Sequence, residues 1–270
     1  MKLNTRKIKK RKILSGENPL SMLTCYDFQT AQLLNESELD MILVGDSVGN
    51  VVLGYETTVE VTLSDMITFG RAVKRGAPDK FTVVDLPFGT YASLERGIEN
   101  AINLFQQTKA EALKLEGASE EFCLLIKRCT QVGIPIMGHI GLTPQSVHQQ
   151  GGYFTHGKSH PDAERLFLEA KALEEAGCFA IVLECVTPEL ATEITKKINI
   201  PTIGIGSGRE TDGQVLVIND LLKMGPLRPP NFCHPVADFY ELKRQGIELF
   251  LKDVQNNTSP DQGSSKSLQS

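Results

Sequence analysis

Residues 166–189 read LFLEAKALEEAGCFAIVLECVTPE and contain one complete repeat of helix, strand and helix start. The first part has helical spacing, because apolar residues recur three and four positions apart. These residues are Leu166, Phe167, Ala170, Leu173 and Ala176. Gly177 ends the segment, and the aliphatic run Ala180–Leu183 has the length and composition of a buried parallel strand. Thr187-Pro188-Glu189 then supplies an N-cap, an N1 proline and a first-turn acid for the next helix.

Similar strand-sized runs recur along the chain, with amphipathic stretches between them. The runs are Leu20–Tyr26, Met41–Gly45, Phe81–Leu86, Ala112–Leu115, Ile134–Gly138, Ala180–Leu183, Thr202–Ile205 and Val215–Ile218. Helix starts are marked by a capping box at Thr62 and Asp65 and by an N-cap at Ser119 before two glutamates. Eight such strand–helix units predict an α/β fold, a (β/α)8 TIM barrel, which ordinarily forms a single domain of roughly 250 residues.

An open doubly wound sheet uses the same units and is the competing architecture. Its usual mark is a glycine-rich turn after the first strand. Here the first strand leads into Thr24-Cys25-Tyr26-Asp27, which has no glycine, and polar residues end nearly every strand. This distribution favours the barrel, whose site draws on many loops at one face. The long connections 50–61 and 142–160 are expected to form lids or edges over that face.

The barrel is predicted to span residues 19–255. A basic lead-in segment, residues 1–18, is interpreted as solvated, because no apolar stretch of a signal peptide follows its lysines and arginines. Residues 256–270 are rich in Ser, Gln and Asn without periodicity, which predicts a disordered tail.

Composition excludes several classes of function. With 41% hydrophobic and 23% charged residues the chain is globular in type, and a net charge of −5 provides no field that would recruit nucleic acid. No apolar stretch approaches the ~20 residues of a membrane helix. The six cysteines form no C-x-x-C pair, which favours reduced thiols over a zinc site or disulfides. We therefore expect a soluble, cytoplasmic protein without nucleic-acid or membrane partners.

Acidic residues at three strand ends predict a metal site. Asp46, Asp85 and Glu116 follow strands that are neighbours or near neighbours, and carboxylate oxygens are the ligands that Mg²⁺ prefers. A single Asp in such a place more often caps a turn, by roughly three to one. Several acids together repel one another unless a cation or protons neutralise them, and this favours the metal.

Further polar residues occupy the same strand ends. Lys114 and Glu116 alternate with leucines, so both would point into the barrel mouth, where the lysine could hold a carboxylate or form a Schiff base. The nearby acids favour the electrostatic role. Glu184 ends an apolar strand and is a candidate general base, whereas His139 is as consistent with a buried structural histidine as with catalysis. The spacing Gly204-x-Gly206-x-Gly208 supports phosphate binding only weakly.

Several of these stretches together resemble the ketopantoate hydroxymethyltransferase family, also called 3-methyl-2-oxobutanoate hydroxymethyltransferases. The matching blocks extend from residue 20 to about residue 220 in the family's order. They include Thr24-Cys25-Tyr26-Asp27, Val44-Gly45-Asp46-Ser47, Asp85-Leu86-Pro87-Phe88, Lys114-Leu115-Glu116-Gly117, residues 138–146, Leu183-Glu184-Cys185 and residues 204–208 with 211–214. The stretch 153–158 departs from the family's usual Val-Gln-Gly-Arg, and Ser207 stands where Ala is common.

The resemblance implies a magnesium-dependent barrel enzyme that transfers a hydroxymethyl group from 5,10-methylenetetrahydrofolate to 3-methyl-2-oxobutanoate. The product would be ketopantoate, for pantothenate and coenzyme A, formed through a Mg²⁺-stabilised enolate. By the same resemblance, Asp46 and Asp85 would ligate the metal directly and Glu116 through water. Ser47 and Lys114 would hold the substrate carboxylate, Glu184 would be the base, and His139 would lie near the substrate. A homo-oligomer, a decamer, is implied by the family alone.

Two rival functions use the same residues. One is another Mg²⁺-dependent oxo-acid carbon–carbon lyase of the phosphoenolpyruvate-binding barrel type, although the Lys-Lys-Cys-Gly-His-type loop of such lyases is missing from the sequence. The other, from a different class, is a non-catalytic barrel that binds folate or a keto acid. The presence of both metal acids, the lysine and the base argues against a non-catalytic protein.

Overall fold

The computed structural model describes residues 2–12 and 19–256. Eight parallel strands, paired in chain order, close into a barrel, with β8 beside β1. The strands are β1 Leu20–Thr24, β2 Met41–Val44, β3 Phe81–Asp85, β4 Ala112–Glu116, β5 Ile136–Gly141, β6 Ala180–Glu184, β7 Thr202–Ile205 and β8 Gly213–Leu216. The predicted TIM barrel is confirmed, and the closed strand order excludes the open doubly wound sheet.

Helices follow the strands in alternation. They are α1 Thr5–Lys10, α2 Phe28–Glu36, α3 Leu63–Gly76, α4 Leu94–Thr108, α5 Glu120–Gln131, α6 Val147–Gln150, α7 His160–Ala176, α8 Pro188–Lys197, α9 Ile218–Leu221 and α10 Phe239–Gln255. The predicted capping box opens α3, Ser119 caps α5, and Pro188 stands at the start of α8. In α7, Leu166, Ala170, Leu173 and Ala176 are buried, as the quoted repeat predicts.

The predicted strand ends are wrong by one residue in β2, β3, β4 and β6, and β1 ends at Thr24 instead of Tyr26. Two strands, β5 and β8, differ from the prediction at both ends. β5 continues to Gly141 instead of ending at Gly138, and β8 occupies Gly213–Leu216 instead of Val215–Ile218. Ile218 begins α9, where its backbone N–H donates to Thr24 Oγ1 at 3.0 Å. The connection 50–61 contains a π-helical turn and a 3₁₀ turn, and a 3₁₀ turn at Pro144–Ser146 precedes α6.

The sequence suggested that the N-terminal segment is solvated, but the structure buries part of it. α1 places Ile8 in the core cluster formed by the beginnings of the strands, where it is fully buried with Leu20, Met22 and Phe81. Lys12 is also buried and donates to Ile200 O at 2.9 Å. This short helix therefore closes the amino-terminal end of the barrel. The rest of the predicted lead-in, residues 13–18, lies outside the described residues.

Contacts divide the chain into two compact units, with the boundary after Ile218. In the second unit, Asp238 caps α10 by accepting from the backbone N–H of Glu241, and it forms an ion pair with Lys223. The predicted tail beyond residue 256 lies outside the described residues. No helix in the described part of the chain is long and apolar enough to cross a membrane. All six cysteines fall within the described ranges and are free thiols.

Candidate active site

The predicted site residues meet at the carboxyl ends of the strands. Asp85 and Lys114 are partners in register between β3 and β4, and Glu116 and His139 are partners between β4 and β5. Asp46 follows β2 and Glu184 ends β6. All are buried except Glu184, whose side chain keeps 17% of its surface exposed. Positions scattered over the sequence thus form one polar cluster, which we call the mouth cluster.

Asp46 and Asp85 are held together by the backbone of the loop after β2. The Asp46 N–H donates to Asp85 Oδ2 at 3.1 Å, and the same oxygen lies 3.0 Å from Lys114 Nζ. Burial, together with the charges of Glu116 and Asp85, raises the pKa of Asp46 well above its usual range. Burial also raises the pKa of Asp85, against the opposing charge of Lys114. The cluster therefore has more negative charge than its own cations neutralise.

Lys114 is a charged anchor at the centre of the mouth cluster. Its Nζ lies 3.0 Å from Asp85 Oδ2 and 3.8 Å from Glu116 Oε1. Burial alone would lower the pKa of Lys114, but the surrounding carboxylates outweigh it and raise this pKa above its ordinary value. A protonated amine is a poor nucleophile. The geometry therefore favours the predicted electrostatic role over a Schiff base.

His139 lies between two carboxylates. Its Nδ1 is 3.4 Å from Glu116 Oε1 and 3.2 Å from Lys114 Nζ, and its Nε2 is 3.2 Å from Glu184 Oε2. Burial and the Lys114 charge lower the pKa of His139, but its interactions with Glu116 and Glu184 outweigh them and raise it to about 9. The imidazole thus links Glu116, which was predicted to reach the metal through water, to Glu184, the predicted base.

The backbone after β5 and β6 is shaped to bring Glu184 to the mouth. Gly141 has φ of +96°, and a Cβ there would lie 2.2 Å from Glu184 O, so only glycine permits this approach. The N–H of Leu142 donates to that same oxygen at 2.8 Å. Cys185 follows with a positive φ of 49°, which turns the chain sharply after Glu184.

Ser47 lies beside Asp46 and is half-buried, with its Oγ 2.8 Å from Tyr26 OH. The glycines in and after β7 serve packing. A Cβ at Gly204, within β7, would lie 2.7 Å from Thr211 Oγ1, and one at Gly208 would lie 2.8 Å from Pro188 Cβ. Ser207 Oγ donates to Leu183 O at 2.8 Å. This stretch supports the end of β6 next to Glu184.

Buried carboxylate oxygens at the mouth suit a divalent cation. Asp85 Oδ1 is buried and has no hydrogen-bond partner among the described residues. Glu116 Oε1 also has no hydrogen bond there, and it contacts only the charged groups of His139 and Lys114, at 3.4 and 3.8 Å. Hard carboxylate oxygens are Mg²⁺ ligands, and Mg²⁺ commonly takes one or two carboxylates and keeps several waters. Across residues 2–12 and 19–256, no three His, Cys, Asp or Glu side chains converge on one ion position. The residues therefore fit an ion with two direct carboxylate ligands, such as Asp46 and Asp85, more closely than an all-protein cage.

Sequence reasoning missed the residue that joins these carboxylates. Gln145 donates from its side-chain Nε2 to Asp46 Oδ2 at 2.8 Å and from its backbone N to Glu116 Oε2 at 3.0 Å. Tyr91, also missed, donates to Gln145 Oε1 at 2.5 Å. Pro144 after a strand signals a turn at this point. No sequence pattern indicates which distant carboxylate the next side chain reaches.

The whole chain matches one protein family. The sequence model described as "Ketopantoate hydroxymethyltransferase" matches residues 2–262. The chain belongs to the ketopantoate hydroxymethyltransferase family. Curated relatives named 3-methyl-2-oxobutanoate hydroxymethyltransferase include one from Pseudothermotoga lettingae, 47% identical over 94% of this chain and 96% of the relative. Another, from Leptospira interrogans serovar copenhageni, is 44% identical over 91% and 93%. Members of this family are transferases that act in pantothenate biosynthesis.

Solved structures of similar fold come from other barrel enzymes. A phosphonopyruvate hydrolase in complex with oxalate and Mg²⁺ superposes with a TM-score of 0.63 at 11% identity, covering 98% of this chain and 92% of that one. A 2,3-dimethylmalate lyase superposes with a TM-score of 0.61 at 12% identity, covering 99% and 93%. At such identities the likeness confirms the barrel fold alone. The chemistry of this chain has to be argued from its own site residues.

Proposed function

We propose that this hydroxymethyltransferase takes its one-carbon unit from 5,10-methylenetetrahydrofolate, requires Mg²⁺, and uses Glu184 as the base that activates 3-methyl-2-oxobutanoate. The observation that carries the proposal is the placement of Glu184, whose side chain is 17% exposed, beside a buried, cation-poor cluster of carboxylates. Asp46 and Asp85 would hold the metal, and Glu116 would reach it through water. Mg²⁺, when bound, would act as a Lewis acid toward the keto oxygen and carboxylate of the substrate.

Lys114 and Ser47 would bind and orient the substrate carboxylate. Lys114 supplies a fixed positive charge whose position is set by Asp85 at 3.0 Å. Ser47 is half-buried at the edge of the cluster, where a ligand can reach it, and Tyr26 fixes its hydroxyl. Orientation by such residues lowers the entropic part of the barrier.

Glu184 would take the proton from C3 of the substrate. The electron pair left on C3 forms the enolate. The methylene carbon of the folate is bonded to two nitrogens, and both bonds break: water gives its oxygen to that carbon and one proton to each nitrogen. C3 of the enolate bonds to the released carbon, and the oxygen on that carbon takes up the proton removed from C3. His139, 3.2 Å from Glu184 Oε2, would hold the base in place, and we assign it no proton transfer.

We also propose a cytoplasmic homo-oligomer. Six free thiols suit a reducing compartment. In the second unit, no residue of α10 is buried among the residues that the structure describes, although the helix contains Phe239, Leu242 and Phe250. Helices with an apolar face are ordinarily covered in solution, and sedimentation velocity would show whether several copies of the chain associate.

The test is formation of ketopantoate from 3-methyl-2-oxobutanoate, methylenetetrahydrofolate and Mg²⁺. Glu184→Gln should still bind the keto acid but lose about 10²–10⁴-fold in turnover, the usual contribution of a general base. Glu189→Gln, an exposed glutamate on α8, is the matched control and should remain fully active. Turnover of Glu184→Gln close to that of the parent would contradict the assignment. Cleavage of the oxo acid without folate would favour the rival lyase.

A further inference from the structure

Gln145 connects the loops that follow four strands of the barrel. It stands in the 3₁₀ turn after β5 and is 5% exposed. Its backbone N–H donates to Glu116 Oε2, at the end of β4, at 3.0 Å. Its side-chain Nε2 donates to Asp46 Oδ2, after β2, at 2.8 Å, and to Leu86 O, after β3, at 3.0 Å. One residue thus contacts two of the carboxylates assigned to the metal.

Tyr91 fixes which way the Gln145 amide points. The phenol donates to Gln145 Oε1 at 2.5 Å, so both hydrogens of Nε2 are directed to Asp46 and Leu86. A reversed amide would place its oxygen against a carboxylate and a carbonyl, and acceptors repel one another. Burial, with the charges of Glu116 and Asp46, raises the pKa of Tyr91 well above its ordinary value. The phenol therefore keeps the proton that it donates.

Tyr91 is itself immobilised. It is 7% exposed, and its ring packs edge-on against Phe122 of α5, with ring centroids 5.2 Å apart. The preceding residue is tied to α4, because Asn100 Nδ2 donates to Thr90 O at 2.6 Å. The chain Phe122–Tyr91–Gln145 therefore extends from an outer helix of the barrel to the carboxylates of the mouth cluster.

This arrangement engages one oxygen of each carboxylate. Gln145 donates to Asp46 Oδ2 and to Glu116 Oε2 and leaves the second oxygen of each carboxylate to other partners. Glu116 Oε1 faces His139 Nδ1 at 3.4 Å and Lys114 Nζ at 3.8 Å, with no hydrogen bond among the described residues. A carboxylate gripped through one oxygen has a fixed plane and presents the other oxygen in a fixed direction. Partners of this kind, outside the ligands themselves, typically change metal affinity 10–100-fold.

We infer that Gln145, oriented by Tyr91, is a positioning residue that sets the divalent-cation affinity of the mouth cluster. The inference rests on the proposed magnesium site and extends it to residues that touch neither the ion nor the substrate. Gln145 acts by preorganising Asp46 and Glu116 before the ion binds. Its loss should therefore weaken cation binding even when no substrate is present.

The experiment is a titration of the full-length chain with Mn²⁺, a paramagnetic substitute for Mg²⁺, in which the signal of the free ion gives the Kd. Gln145→Met, which keeps the volume of the side chain, should raise the Kd about 10-fold or more. Tyr91→Phe should raise it less, because the amide remains but is free to rotate. Gln150→Met is the matched control, because Gln150 ends the short helix α6 in the same connection and donates to Thr143 Oγ1 instead of to a carboxylate.

The possible outcomes separate the inference from the proposed function. A changed Mn²⁺ line shape and a raised Kd in Gln145→Met, with Gln150→Met like the parent, would support it. An unchanged Kd in Gln145→Met, or an equal rise in the control, would overturn it and leave the metal site intact. A parent chain that binds no Mn²⁺ would overturn the metal site and the inference together. Thermal unfolding in chelator verifies that each variant folds. If Gln145→Met does not fold, the Kd of Tyr91→Phe for Mn²⁺ tests the inference instead.

Discussion

The two ends of the barrel both bury charged residues, but they satisfy them differently. At the amino-terminal end, Asp212 Oδ2 accepts from Lys12 Nζ at 3.0 Å and from Thr202 N at 2.9 Å. Asp40 at the same end pairs with Arg11 at 2.6 Å and accepts from Ser21 N at 2.9 Å. Each carboxylate there has its own cation and a backbone donor.

The carboxyl end has no such balance. Asp46, Asp85 and Glu116 share the nearby cations Lys114 and His139, and buried oxygens of Asp85 and Glu116 have no hydrogen-bond partner in the described part of the chain. Leaving a buried polar atom unpaired costs about 1–3 kcal/mol. A buried carboxylate with its own cation and backbone donor stabilises the fold, whereas a carboxylate that lacks them is suited to bind a ligand. The comparison supports the proposed site at the mouth by its electrostatics, independently of any family.

Asp46→Asn should have the largest effect on the difference between the two ends, because it removes excess negative charge from the mouth cluster. Burial and neighbouring carboxylates raise the pKa of Asp46, so its ionised form destabilises the fold above the pKa of the unfolded chain. The variant should unfold at the same or a higher temperature than the parent in chelator. It should also lose the stabilisation by Mg²⁺, about 2.7 kcal/mol at 100 times the Kd, and most of its turnover.

Thermal unfolding with Mg²⁺ and with chelator measures both effects. Asp65→Asn is a poor control, because Asp65 forms the capping box of α3. Glu193→Gln changes an exposed acid in the middle of α8 without such a role and should behave like the parent. A lower melting temperature of Asp46→Asn in chelator, with the Mg²⁺ response intact, would mean that the mouth is as closed as the other end.

Lys12→Met should give the opposite result at the amino-terminal end. It leaves the buried Asp212 without this cation, and removal of one member of a buried pair costs about 3–5 kcal/mol. We expect about 3 kcal/mol of lost unfolding free energy, at the low end, because Asp212 keeps its bond to Thr202 N. Turnover per folded molecule and Mg²⁺ affinity should not change.

Denaturant unfolding compared with Lys196→Met, an exposed lysine of α8, checks this prediction. The control should change stability by less than ~0.5 kcal/mol, as is usual for surface positions. A loss of activity in Lys12→Met at full folding would show that the two ends are coupled, and the division into a stabilising end and a functional end would then fail.

Much of the fold follows from local sequence because buried strands of a parallel barrel are continuous apolar runs. The predictions are wrong where glycine continues a strand. Gly138 and Gly141 made β5 look shorter than it is. Gly138 is required by packing, because a Cβ there would lie 2.7 Å from Leu173 Cδ1 of α7. Gly213 similarly begins β8, because a Cβ there would lie 2.6 Å from Leu20 O. Close approach between elements, which hydropathy does not encode, requires these glycines.

The site also contains residues that local sequence predicts and residues that it does not. Asp46, Asp85, Glu116 and Glu184 could be located from sequence, because each lies at the end of a strand or within two residues of it, and strand ends meet at one face. The grip of Gln145 on Asp46 joins residues 99 positions apart and depends on how a loop folds. The burial of Lys12 depends in the same way on a contact with Asp212, 200 positions away. Such long-range side-chain contacts have no local pattern.

The central claim is that the open charges of the mouth serve to remove one proton from the substrate. Its most direct test is exchange of the C3 hydrogen of 3-methyl-2-oxobutanoate in D₂O, followed by NMR without folate. The account predicts exchange with the parent chain and Mg²⁺, and little exchange with chelator or with Glu184→Gln. Absence of exchange by the parent, with folate present or absent, or undiminished exchange in Glu184→Gln, would contradict it.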